Sequence, residues 1–152
     1  MRRFTFALLL LFPALAEPAS HPVVHVEYVG GTRADIPSKN SGDIGVSDSI
    51  YFIFASKQTQ VKIPYDRINL LEYGQHVSRR YVEAIIISPL FMLAKKRQHF
   101  LTLGFQDEEG NQQAMVFRVD KSDIRLTLVA LEARTGRQIT YQDEEARTSG
   151  KG

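Results

Sequence analysis

Asp120-Lys121-Ser122-Asp123-Ile124-Arg125-Leu126-Thr127-Leu128-Val129-Ala130-Leu131-Glu132-Ala133-Arg134-Thr135-Gly136 is where this chain changes its period. Upstream, apolar residues alternate or run in short stretches. Here they recur at helical spacing: Ile124, Leu128 and Leu131 form a stripe, with Thr127 and Val129 expected to widen it. Asp120 and Ser122 are candidate N-caps, and Asp123 sits in the first turn beside the positive end of the helix dipole. Arg134 falls in the last turn and Gly136 just beyond it, as helix ends require. The spacing predicts one amphipathic helix, Ser122 to Thr135, of about 14 residues.

Such a helix has one apolar face, and the preceding residues supply strands to receive it. Val23 to Val29 alternates, with Val24, Val26 and Tyr28 on one face and His25 and Glu27 on the other. Gly30 to Gly42 reads as a loop. Asp43 to Val46 is a short strand, and Ser47 to Ser49 a turn. Ile50 to Ala55 (IYFIFA) is apolar on both faces, as a central strand covered on both sides would be. Thr59 to Ile63 turns Val61 and Ile63 inward, and Pro64 marks a corner because proline cannot donate to a sheet ladder. Arg67 to Tyr73, Tyr81 to Ile87, Phe100 to Phe105 and Gln113 to Val119 read as further strands. The last two are joined by a hairpin turn in which Gly110 takes the left-handed position. Gln138 to Tyr141 is a short extension, and 142–152 a flexible tail. The expected fold is mainly β (α+β): a partly open barrel or bent antiparallel sheet of about seven strands, with the C-terminal helix plugging one end.

The other end of the chain speaks to location. Met1-Arg2-Arg3 is a basic start, Phe4 to Phe12 is apolar apart from Thr5, and Ala14-Leu15-Ala16 supplies the small residues a signal peptidase reads. Residues 1–16 therefore read as a secretory signal peptide cleaved after Ala16, 17–22 as a spacer, and 23–141 as one exported domain of the periplasm or cell envelope. The alternative is a retained N-terminal membrane anchor, but the apolar run is short against the roughly 20 residues that span a bilayer. Without Arg2 and Arg3, the 19 basic residues become 17, equal to the 17 acidic ones. A neutral exported chain lacks the net positive field that nucleic-acid binding uses. The absence of cysteine excludes disulfides, thiolate metal sites and N-terminal lipidation.

The order of strands and helix resembles the pleckstrin-homology superfold, and within it the GRAM-like and bacterial PH-like domains. Gly42-Asp43-Ile44-Gly45-Val46-Ser47-Asp48-Ser49-Ile50-Tyr51-Phe52 resembles their second hairpin, and Lys62-Ile63-Pro64-Tyr65-Asp66-Arg67-Ile68 the segment that follows it. The helix Ser122 to Thr135 sits where those domains carry theirs, and Leu131 to Gly136 is similar to segments of small exported bacterial proteins. The resemblance covers roughly Val23 to Tyr141. It implies a scaffold, and many such domains bind phosphoinositides through basic residues between their first two strands. In this chain that loop offers Arg33 and Lys39, with Asp35 beside them.

The residues that could bind something are local. Arg79, Arg80, Lys95, Lys96 and Arg97 flank an apolar stretch containing Leu90 and Phe91, with His76 and His99 nearby. An apolar tip rimmed by cations suits an anionic interface, each cation contributing about 1 kcal/mol there. The competing reading makes Leu90 to Leu93 a buried crossing. His21, His25 and Glu27 share strand parity and could hold zinc, although the outer face of an edge strand carries polar residues in any case. Glu108-Glu109 and Glu144-Glu145 fall in polar, exposed contexts unsuited to a catalytic acid. The aromatics Tyr51, Phe52, Phe54, Tyr65, Tyr73, Phe100, Phe105 and Phe117 fall on strands as core. No nucleophile elbow, phosphate loop or dinucleotide fingerprint occurs.

The reading that follows is a non-enzymatic exported interaction module without a cofactor or metal, its partner a protein or an anionic lipid surface. The alternative is a hydrolase-type envelope enzyme, with His76 or His99 joined to a carboxylate such as Glu72 or Glu83 in a deep pocket. Intact mass of the exported protein should correspond to a chain beginning at Glu17; a mass retaining Met1 would establish the anchor instead.

Overall fold

The computed structural model describes residues 23–77, 86–87 and 98–151. The leader and spacer lie outside them. The strands are β1 (Val23–Gly31), β2 (Asn40–Gly45), β3 (Tyr51–Ser56), β4 (Gln60–Pro64), β5 (Ile68–Gly74), β6 (Ile86–Ile87), β7 (His99–Gln106), β8 (Gln112–Val119) and β9 (Thr140–Tyr141). A 3-10 turn, Tyr65–Arg67, links β4 to β5, and the helices are α1 (Lys121–Thr135) and α2 (Glu144–Lys151). The strands form one mixed sheet in the order β4-β3-β2-β1-β8-β7-β5-β9, with β6 pairing β1 off this path. All pairings are antiparallel except β5 with β9. Among the described residues no helix is long and apolar enough to cross a membrane.

The sheet is not flat. β3 and β8 are three steps apart in it, which in a flat sheet is about 14 Å. Yet the rings of Phe54 and Phe117 lie 5.2 Å apart, and those of Phe52 and Phe117 5.9 Å apart. The sheet must curl to bring them together. Tyr28 completes the group, 6.1 Å from Phe54 and 5.9 Å from Phe117. A bulge in β1 assists: Tyr28 pairs with Phe117 and Gly30 with Val116, so Val29 is the extra residue. Gly31 follows because a Cβ there would meet the Ala114 carbonyl at 2.4 Å. β2 covers β1 only as far as Tyr28, and β6 continues the same edge at Gly30 and Gly31.

The helix lies on the concave side. Ile124, Thr127, Leu128 and Leu131 are buried, and the three apolar ones join the same core as Phe52, Phe54 and Phe117. Burial of each such aliphatic side chain contributes roughly 1.5–3 kcal/mol. Val129 does not widen the stripe. At 3.6 residues per turn it is about 140° around the helix from Ile124, and it is 57% exposed. Asp120 is the N-cap through its carbonyl, which accepts from the Asp123 and Ile124 amides, while its side chain makes no cap bond. Gly136 closes the helix at φ 67°, donating to the Glu132 carbonyl.

Three further expectations are corrected. Gly30–Gly31 and Asn40–Gly42 are strand, because their glycines permit close backbone approach. β3 is covered on one face only: Phe52 and Phe54 are buried, but Ile53 is half-buried and Tyr51 exposed. The short extension expected at Gln138 to Tyr141 is present, its Thr140 and Tyr141 forming β9 on β5. The segment read as a flexible tail contains α2, capped where Asp143 Oδ1 accepts from the Ala146 amide at 2.6 Å. Ala146 is buried, and Gln75 donates to Ser149 Oγ at 2.8 Å, so α2 is docked on β5.

The aromatic closure makes Phe117→Ala costly, about 3–5 kcal/mol, while Val129→Ala should stay within about 0.5 kcal/mol. Denaturant titration would measure both, and a cost for Phe117→Ala no larger than for Val129→Ala would remove the ring cluster as the source of closure.

Candidate functional site

The residues first singled out for binding, Arg79, Arg80, Leu90, Phe91, Lys95, Lys96 and Arg97, lie outside the described residues, as do Glu83 and His21. The histidines within them do not assemble a catalytic pair. His99 and Glu72 fall on opposite faces, because β5 and β7 pair Tyr73 with Leu101 and strand residues alternate. His99 instead meets Tyr73: its Nδ1 is 2.5 Å from the hydroxyl, and the rings stack at 5.9 Å and 8°. Burial lowers the His99 pKa, helped by the Lys121 charge. Burial pushes the Tyr73 phenol up to about 12. The neutral imidazole therefore accepts from a phenol that stays protonated. Glu72 is buried, with Gln142 Nε2 donating to its Oε1 at 3.1 Å. His76 is exposed, and its carbonyl accepts from the same amide at 2.9 Å.

The proposed zinc face is also otherwise engaged. His25 Nδ1 pairs with Asp43 at 3.0 Å across β1 and β2, and Glu27 pairs with Arg118 across β1 and β8. Among the described residues no group of three candidate ligands comes together. Arg33, in the loop that resembles an inositide site, is held by Asp35 through bonds of 3.0 and 2.6 Å, which balances its charge. Glu108, Glu109, Glu144 and Glu145 are exposed.

A concave surface of about 600 Å³ occurs elsewhere, where α1 ends over the start of β3. Ser49, Ile50 and Tyr51 form one wall, Pro64 to Arg67 the second, and Arg134 with Thr135 the third. Local geometry builds each wall. Asp48 Oδ1 accepts from the Ile50 and Tyr51 amides at 2.7 and 2.8 Å, folding the turn before β3. Those bonds, with Lys62 and Arg134 beyond them, hold the Asp48 carboxyl below its usual range. The Ile50 and Tyr51 side chains remain outside, 59% and 38% exposed. The Tyr65 amide donates to the Ile50 carbonyl at 2.9 Å, tying the 3-10 turn to the same corner.

Arg134 closes the third wall. Its Nε donates to the Val46 carbonyl at 3.2 Å and its Nη2 to the Ser47 carbonyl at 3.1 Å. The guanidinium is thus fixed by neutral carbonyl groups. Among the described residues no carboxylate is within ion-pair distance of Arg134 or Arg67. Tyr65 is only 5% exposed, and its hydroxyl has no hydrogen-bond partner among the described residues. Burial raises its pKa, with Arg134 acting in the opposite sense. A buried unpaired hydroxyl costs about 1–3 kcal/mol of stability.

The sheet edges narrow the modes of binding. β4 is one edge. The bonds from Ser56 N to Thr59 O and from Tyr65 N to Ile50 O set the register, so Gln60 and Lys62 turn their backbone groups to the free side. Those are few, Lys62 sits among them, and Pro64 has no N–H; each feature discourages strand addition. The opposite edge, on β5, is taken by β9.

Sequence reasoning assigned Tyr51 and Tyr65 to the core, which holds for Tyr65 alone. The cleft went unseen because its walls come from segments far apart in the chain. A scan against models of known protein families finds no match, and neither does a search of curated proteins.

The buried imidazole yields a pH prediction. His99 has a lowered pKa in the folded state, so its contribution is fully present above the unfolded value of about 6.5 and is lost as pH falls through the folded value. Melting temperature should decline across that window, separately from carboxylate titration below about pH 4. His99→Phe should flatten the decline between pH 7 and 5; an unchanged profile would show that another group titrates.

Proposed function

We propose that this chain is a non-enzymatic binding domain on a PH-like scaffold, exported to the periplasm or cell envelope, and that it holds a protein partner in the cleft formed by α1, β3 and the 3-10 turn. One observation carries the reading: a single concave surface combines exposed apolar side chains with two cations that, among the described residues, have no carboxylate within ion-pair distance. Recognition sites are built this way, from apolar walls and a few placed polar groups. The basic start, apolar run and small residues of Met1 to Ala16 support export. The antiparallel run from β1 to β8, followed by a helix on the concave face, supports the scaffold. The engagement of His25 by Asp43 and of His99 by Tyr73 favours binding over acid–base chemistry.

Affinity capture from envelope extract, with membranes retained and with membranes removed, tests this. The wild type and Leu126→Asp, a change on the exposed face of α1, should enrich the same protein in both preparations. Ile50→Asp should lose it while keeping its melting temperature. Equal enrichment by Ile50→Asp would end the reading of the cleft as the binding surface.

A further inference from the structure

The geometry points to the ligand class of this cleft: we infer that it receives the C-terminal end of a peptide, with the terminal carboxylate between Arg67 and Arg134 and the last, apolar side chain on Ile50 and Tyr51. The inference rests on the cleft being the binding surface, as proposed above.

Charge comes first. The lining contains two guanidinium groups, Arg67 and Arg134, and one carboxylate, Asp66, for a net charge of +1. That matches a monoanion. A phosphate dianion would meet Asp66 and, just outside the lining, Asp48, which interacts with Arg134. Arg134 spends Nε and Nη2 on the Val46 and Ser47 carbonyls, which fixes its plane, and Nη1 has no acceptor in those bonds. A fixed guanidinium presents its remaining donors to a carboxylate at little entropic cost.

The apolar part of the ligand follows from the opposite wall. Ile50, in the turn before β3, and Tyr51, the first residue of β3, are exposed beside Phe52, which is fully buried. Covering them calls for a side chain attached to the carboxylate-bearing group, and a peptide's last residue carries both. The edge explains why the chain enters by its end. Lys62 and Pro64 beside the cleft discourage an added strand, so the contact is confined to the terminus.

The test uses the 15N-labelled exported protein, titrated with N-acetyl-Gly-Gly-Phe and with the same peptide as its C-terminal amide. The free acid should shift the resonances of Tyr51, Arg67 and Arg134, binding about tenfold more tightly than the amide, the effect of one charge-assisted contact. Arg67→Gln should reduce the preference for the acid severalfold without abolishing it, because Arg134 still faces the carboxylate. Equal binding of acid and amide in the cleft would overturn the carboxylate inference and leave the cleft as a binding surface. Shifts confined to other residues, or none with either peptide up to millimolar concentration, would overturn the inference, and the capture experiment would then decide the fate of the broader reading.

Discussion

The packing of Phe117 against Phe54 and Phe52 is the contact on which the remaining architecture depends. It forces strands at opposite ends of a four-strand run to face one another, and only a curled sheet permits that. Curling creates a concave side too wide for one layer of side chains, and α1 fills it with Ile124, Leu128 and Leu131. The Val29 bulge and the missing side chain at Gly31 are the local devices that allow β1 to bend. The chain has no cysteine to brace the bend. The curvature is therefore held by aromatic packing and ladder hydrogen bonds.

How much of this could be read in sequence follows from the range of each determinant. α1 was legible because its caps and stripe are contiguous: Asp120, Asp123, Arg134 and Gly136 all lie within one segment. Alternation placed Val24, Val26, Tyr28, Val61 and Ile63 inward correctly for the same reason. Val129 was misplaced because apolarity outweighed angle: its methyl groups suggest core, while its position on the helix faces solvent. The segment after Gln142 was misread because polarity suggested fraying. Its opening, Asp143-Glu144-Glu145-Ala146, is nevertheless a capping residue followed by acids in a first turn, a helix start that could have been recognised.

The cleft lies at the other extreme. Nothing local marks Ser49 to Tyr51, Pro64 to Arg67 and Arg134 as neighbours, because the curl of the sheet and the length of α1 bring them together. The IYFIFA run even argued for complete burial, since six apolar residues resemble a strand covered on both faces. Only the register of β3 shows that Phe52 and Phe54 take the inward positions and leave Tyr51 outside.

Arg134 joins fold and site in one side chain. Its two bonds to the Val46 and Ser47 carbonyls pin the end of α1 to the turn before β3. They also determine where its charge can be used. The cleft consequently cannot be reshaped without loosening the helix, and the helix cannot shift without moving a wall of the cleft. A substitution at Arg134 would therefore disturb stability and binding together, whereas Ile50 is exposed and Arg67 makes no ion pair among the described residues. Those two positions report on recognition separately from folding. The same coupling gives the site its precision: a guanidinium anchored to backbone carbonyls at the junction of helix and sheet is as rigid as the junction itself.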